Sequence, residues 1–413
     1  MSVHNLDQRD DLRRQLRRLG LVRGVGHLSP SRRRVAIESL VEGAFHDTPY
    51  GHCFVAQMEL PADHCHGDLP LSTFLELPPG VLAAVGGEPA LAGAALRQAL
   101  FLDTETTGLS AGSGTMAFLV GLGFFEGDRF RILQAFLRDP GDEPAMVHFL
   151  EEWFPRFQML VTFNGRGFDL PILGTRFILA RRPFPLATTP HLDLLPPSRR
   201  LWRERLPSRA LGTLEREVLG VCRGQADVPG GVIPCVYRDY LRTGDAREIP
   251  RILYHNQVDV LSMVTLAARL GRAFAAPQAE PGLGGTELYS LARWYGEAGG
   301  DVEGTLRAAL AADPPAHVRL RALRDLAFCL KREGHRSQAV QWWQQLALED
   351  PQAVLASVEL AKTFEWHLCC LPLATKWTRL ALARASAWPD GPRRERALAA
   401  LRHRLERLER KME

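Results

Sequence analysis

Between Ala99 and Leu137 the apolar residues fall into three runs, "ALFLD", "MAFLVGLGFF" and "RFRILQAFL". Runs this short, bounded by glycines and small polar residues, predict buried strands, and the "EGDR" between the second and third predicts an antiparallel hairpin. The rhythm then alternates. "EPAMVHFLEEWFPRF" has its apolar residues at helical spacing, "MLVTFNG" reads as a strand and "FDLPILGTRFILARR" as a helix. A helix-rich stretch follows and closes with "PRILYHNQVDVLSMVTLAARLGRAF". This order over residues 99–275 predicts an α/β layer domain, a mixed sheet with helices on its faces.

The flanks have other patterns. Residues 1–98 form an N-terminal extension. It holds a predicted arginine-rich helix with Leu12, Leu16 and Leu19 at helical spacing, a strand at "CFVAQMEL", and short helical or turn pieces over "PPGVLAAVGGEPALAG". A stretch rich in Pro, Gly and Ala marks a linker at 276–285. From 286 to 413 the pattern is helical and weakly repetitive. "LAFCLKREGHRSQAVQWWQQLALEDP" is similar to a tetratricopeptide unit, and "LAKTFEWHLCCLPLATKWTRLALARA" repeats its pattern about one period (~34 residues) later, without the glycine. An all-α helical-repeat C-terminal domain that binds a protein partner is therefore expected.

Composition changes this picture little. A chain of 413 residues exceeds one ordinary core, and 46% hydrophobic with 24% charged residues suits a soluble globular protein. No apolar stretch is long enough for a bilayer and no signal-like segment opens the chain, so the expected location is cytoplasmic, without membrane contact and with reduced thiols. The net charge of +4 announces no partner. The first lysine is Lys331, so positive charge before it is all arginine, which suits bidentate phosphate contacts; a coding bias explains it equally well.

The candidate chemistry is acidic. Asp103 and Glu105 lie two apart at the end of a predicted strand, which puts both carboxylates on one face. They repel unless a proton or a divalent cation sits between them, although a solvated strand end would also carry such a pair. Asp169 opens a predicted helix, where the helix dipole favours a carboxylate. Asp259 lies in the closing helix among Val258, Val260 and Leu261, and His255 is one turn earlier on the same face.

These segments resemble the three motifs of the DEDD (DnaQ-like) 3′–5′ exonuclease superfamily, of ribonuclease-H-like fold. "LDTETTG" supplies Asp103 and Glu105, "FNGRGFDLPIL" supplies Asn164 and Asp169, and "YHNQVDVLSM" supplies Asp259, in the superfamily's chain order. "HLDLL", "LGTLEREVLG" and "DVPGGVIPCVYRDYLRTGDA", followed by the helical repeat, are similar to the YprB-like ribonuclease-H-like proteins. The resemblance implies phosphodiester hydrolysis of DNA or RNA with two Mg²⁺ or Mn²⁺ ions, Asp103 bridging both, Glu105 and Asp259 completing one site and Asp169 serving the other. It also implies that Thr106, beside Thr107, meets the terminal nucleotide, whereas Asn164 contacts substrate or orients its turn. Where one branch of the superfamily has histidine five residues before the last aspartate and the other has tyrosine four before it, this chain has Tyr254 and His255 in exchanged places. His255 is the expected general base, because imidazole titrates near working pH.

Other signals carry less. "HCHGD", with His52 and Cys53 nearby, has spacings that fit no familiar zinc site. The arginines of 199–209 line a nucleic-acid path or a solvated helix face. Asp193 caps a helix or supports the metal site. The glycine turn after Glu105 is not an NTPase phosphate loop, which needs a lysine after its last glycines; Gly108, Gly112 and Gly114 read as a flexible turn. The rival to an exonuclease is a catalytically weak or inactive nucleic-acid-binding scaffold working through the helical repeat.

Overall fold

The structure, a computed structural model, describes residues 34–108 and 114–413. The expected helix around Leu12, Leu16 and Leu19, and Gly112 of the glycine turn, lie outside the described residues. The chain falls into two compact units. One holds the residues up to Arg199 together with Ser208–Ala275, and the other holds Arg200–Pro207 with Ala276–Glu413.

The first unit is built on a seven-stranded mixed sheet flanked by helices. Its strands are β1 (Gly43–Thr48), β2 (Gly51–Pro61), β5 (Ala99–Thr106), β6 (Ala117–Glu126), β7 (Arg129–Phe136), β8 (Met159–Thr162) and β9 (His191–Asp193), while β3 (Cys65–His66) and β4 (Leu69–Pro70) form a small ladder of their own. The order is β1-β2-β7-β6-β5-β8-β9. β1 to β5 pair antiparallel in that order, and β8 and β9 add in parallel. β6 and β7 form the expected hairpin, with Glu126 opposite Arg129. The sheet also draws in β1 and β2 from the N-terminal region, β2 lying along β7.

The central strands are apolar without alternation because both of their faces are covered. Leu100, Leu102, Phe118, Val120 and Leu133 join Phe149, Leu173 and Ile252 in one core. The long helix Ile249–Ala275 packs on β5 and β6. Gly121 and Gly123 make this possible: two apart on β6, they point to one face, where an added Cβ would come within 2.2 Å of Asn256 Oδ1 and 2.3 Å of Val260 Cγ1. Two glycines of the second apolar run thus clear a path for the helix.

The second unit is helical. Gly285–Ala298 pairs with Val302–Ala311, Ala316–Arg332 with Arg336–Glu349, and Val354–Trp366 with Leu371–Ser386; Pro392–Arg410 closes the array. Gly334 turns the second pair in a left-handed conformation, and Cys369, also at positive φ, takes that role in the third. Glu365, its side chain fully buried, accepts from Arg404, Arg407 and Lys411 at 2.7–2.9 Å and so ties down the C-terminus. The arginines after 199 meet acids in this unit: Arg200 with Glu297 at 2.8 Å and Arg205 with Glu287 at 2.5 Å. Their expected helix stops at Trp202. No helix among the described residues is long and apolar enough to cross a membrane.

Candidate active site

The site forms where β5 outruns its parallel neighbour. β8 pairs with β5 only as far as Phe101, opposite Val161, whereas β5 continues to Thr106 beside β6. Asp103 and Glu105 therefore lie inside the strand rather than at its end, just past the carboxyl end of β8. Such positions in α/β sheets open a crevice for ligands. Both are partly buried and share a face.

Asp103 is held by a row of residues crossing three strands. Asp103, Gly121 and Gln134 are successive partners on β5, β6 and β7. The Asn256 side chain of the long helix occupies the space over Gly121. Its Nδ2 donates to Asp103 Oδ2 at 2.8 Å, while its Oδ1 accepts from Gln134 Nε2 at 2.7 Å. Gln134 Nε2 also lies 2.9 Å from the Leu253 carbonyl oxygen and its Oε1 accepts from Gln257 at 2.9 Å, so the amide chain is pinned at both ends. Gly121→Ala is expected to destabilise the protein by about 1–3 kcal/mol, the usual range for overpacking, and to weaken Mn²⁺ binding as Asn256 is pushed off Asp103. Thermal melts with chelator and a Mn²⁺ titration would check both; an unchanged Mn²⁺ affinity would remove Asn256 from the support of Asp103.

Asp169 enters from the first turn of Asp169–Leu179, fully inside the fold at 4% exposure, and accepts from Thr104 Oγ1 at 2.5 Å. Asp259 and His255 come from the long helix. His255 Nε2 lies 3.6 Å from Asp259 Oδ2 and 4.0 Å from Glu105 Oε1. His255 Nδ1 lies 2.7 Å from Asp227 Oδ1 and 3.0 Å from Arg223 Nη1. With Nδ1–H donating to Asp227, the shorter of the two contacts, Nε2 keeps its lone pair towards the acids.

Burial raises all four carboxyls, and for Asp103 and Glu105 the neighbouring acids add to it. Burial first, then the charges of Asp259, Glu105 and Asp169, keep the Asp103 carboxyl well above the usual carboxylate range. Burial followed by Asp259 and Asp169 does the same to Glu105. Burial pushes Asp169 up to about 6, despite the hydrogen bond from Thr104, and it raises Asp259 despite His255 and Arg223. A cluster of acceptor-only oxygens that cannot ionise together fits a divalent cation of the Mg²⁺ or Mn²⁺ kind. Glu105, His255 and Asp259 offer ligand atoms all within 4.8 Å of one another.

Beside these groups a cavity of about 680 Å³ is lined by Leu211, Gly212, Arg216, Val221, Cys222 and Pro229, with Arg223, Asp227, His255 and Asp259 at one wall. This is within the size range of small-ligand pockets. Arg223 reaches from it to Glu215 and Asp259.

Other expected residues are committed elsewhere. Thr106 is buried and donates its hydroxyl to the Gly108 carbonyl, and Thr107 Oγ1 accepts from Met116 N, so both brace the turn. Asn164 sits at φ 67°, its backbone N–H donating to Asp193 Oδ1 at 2.8 Å. Asp193 also accepts from the backbone N–H of Arg166 and Leu195, holding the turn before Asp169 and the entry to the next helix together. Tyr254 accepts from Gly224 N at 3.3 Å. His66, of the discounted His/Cys stretch, is buried 2.8 Å from Ser262 Oγ. Thr104, Asn256, Gln134, Arg223, Glu215 and Asp227 are the supports that residue patterns missed. Glu215 and Asp227 lay within the segments that carried the family resemblance, but no periodicity marked them.

Residues 100–271 match the family model RNase_H_2, of the RNase H superfamily. The uncharacterised protein YprB of Bacillus subtilis (strain 168) is 31% identical over 328 residues, which make up 76% of each chain. Among solved structures, the family B DNA polymerase of the hyperthermophilic archaeon Pyrobaculum calidifontis aligns at 17% identity and a TM-score of 0.31, over 48% of this chain and 29% of the polymerase. That likeness is too low to bear on fold or function.

Proposed function

Because the chain belongs to the family of YprB and carries an RNase H superfamily domain, we propose that it is a divalent-cation-dependent 3′–5′ exonuclease of the DEDD type, acting on DNA or RNA. The observation that carries this reading is the convergence of Asp103, Glu105, Asp169 and Asp259 from one strand and two helices on a single cluster whose carboxyls are all held above their usual range. These four residues would hold Mg²⁺ or Mn²⁺. Two bound ions supply charge neutralisation at the attacking and leaving oxygens. His255, oriented by Asp227, takes the proton of the attacking water at Nε2. The cavity beside Leu211 and Val221 receives the terminal nucleotide. The helix pairs after Gly285 are read as tetratricopeptide-like and recruit a protein partner.

The test uses 5′-labelled single-stranded DNA and RNA, with free or inverted 3′ ends, in Mn²⁺ or with chelator. Stepwise shortening that needs Mn²⁺ and stops at the inverted end is expected. Equal cutting of capped and free substrates would replace an exonuclease with an endonuclease. Binding without any cutting, in Mn²⁺ or Mg²⁺, would favour the scaffold.

A further inference from the structure

Glu215 is 1% exposed and spends its carboxylate on neighbouring side chains. Ser262 Oγ donates to its Oε1 at 2.8 Å, and Arg223 grips it side-on, Nε to Oε2 and Nη2 to Oε1, each at 2.6 Å. This fork fixes the guanidinium plane and commits two of its five N–H donors. The others face the acids: Nη2 also donates to Asp259 Oδ1, while Nη1 lies 3.6 Å from Asp227 Oδ1 and beside His255 Nδ1. Since that Nδ1 is itself a donor to Asp227, Nη1 is without a well-placed acceptor there.

We propose that Arg223 is a phosphate ligand of this site, anchored on Glu215 and resting on Asp259 until that carboxylate is taken up by a cation. The proposal rests on the nuclease reading and adds a residue to it. A divalent ion on Asp259 stands beside the guanidinium, and two cations side by side repel. Arg223 therefore yields Asp259 and keeps Glu215, which leaves Nη1 and Nη2 free as a pair. Two adjacent donors in a rigid fork match two non-bridging oxygens of a phosphoryl group, and the cavity wall on which Arg223 lies is open to such a group. A structural counter-ion would have no such second partner.

Three measurements decide it: Mn²⁺ binding to the full chain by calorimetry, binding of AMP and dAMP at saturating Mn²⁺, and turnover on the labelled substrates. Arg223→Gln is expected to bind Mn²⁺ several-fold tighter, to bind the mononucleotides about tenfold more weakly, and to lose roughly 10²–10³ in turnover, the scale for one donor to developing charge. Arg223→Lys, which keeps the charge without the fork, should restore the Mn²⁺ affinity and only part of the nucleotide affinity. If Arg223→Gln leaves Glu215 uncompensated and does not fold, the Glu215→Gln/Arg223→Gln double variant carries the same expectations.

Weaker or unchanged Mn²⁺ binding, or unchanged nucleotide binding, would overturn the assignment. Wild type that cuts nothing while the binding pattern holds would defeat the nuclease reading and leave Arg223 in place. Wild type that cuts, with the pattern missing, would do the reverse. Wild type that binds neither Mn²⁺ nor mononucleotide would sink both.

Discussion

Asp103→Asn is expected to abolish cation-dependent hydrolysis, by roughly 10³-fold or more, and at the same time to raise the melting temperature of the cation-free protein at neutral pH. The two effects have one cause. Burial and three neighbouring carboxylates hold the Asp103 proton well above the usual range, and that repulsion keeps the place where a cation is wanted. Well below the ordinary value of 3.8 the carboxyl is protonated in folded and unfolded chains alike, so variant and wild type should melt together. As pH rises, the unfolded chain releases the proton while the folded one keeps it, and wild type loses stability.

Asp169, which burial moves from 3.8 to about 6, carries a penalty of the same sign. Melting curves in chelator from pH 4 to 8 should therefore diverge with rising pH in favour of the variant. Added Mn²⁺ should close the gap by stabilising wild type. A variant that melts lower at every pH would mean that Asp103 is held by compensating bonds and that repulsion does not dominate the cluster.

The next largest effect is expected at His255. His255→Ala should lose roughly 10²–10⁴ in turnover, the range of a positioned general base, with Mn²⁺ affinity unchanged. A parallel loss of Mn²⁺ binding would make His255 a ligand instead, as its place near Glu105 and Asp259 allows. Asp227→Asn should cost about 10–100-fold, as the partner that fixes the imidazole. An amide can present its N–H to Nδ1 and force the hydrogen onto Nε2, which then cannot take the water's proton. Tyr254→Phe should stay near wild type, since its hydroxyl meets the Gly224 amide. Loss of turnover in Tyr254→Phe with His255→Ala fully active would exchange the two roles.

The acids were legible and their supports were not. Asp103 and Glu105 could be put on one face because alternation along a strand is a local property. The pairing of Asp259 with His255 followed from helical spacing in the same way. The strand limit was misjudged, because how far β5 runs depends on β6 lying alongside it to Thr106. Gly121 and Gly123 look ordinary in the sequence until a helix lies 2.2–2.3 Å from where their Cβ atoms would be.

By itself the sequence determined the alternation of strands and helices, the helix pairs of the C-terminal unit, and four acids in a recognisable order. Each of these is set by residues within a turn or two of one another. Only the tertiary structure decided that β1 and β2 extend the sheet, that Asn256 spans Gly121 to reach Asp103, and that Arg223, Glu215 and Asp227 stand behind Asp259 and His255. Those partners come from irregular segments or from elements far along the chain. A polar side chain there has no period to read, and its partner is fixed only when burial brings the segments together and leaves each charge with a group to answer it.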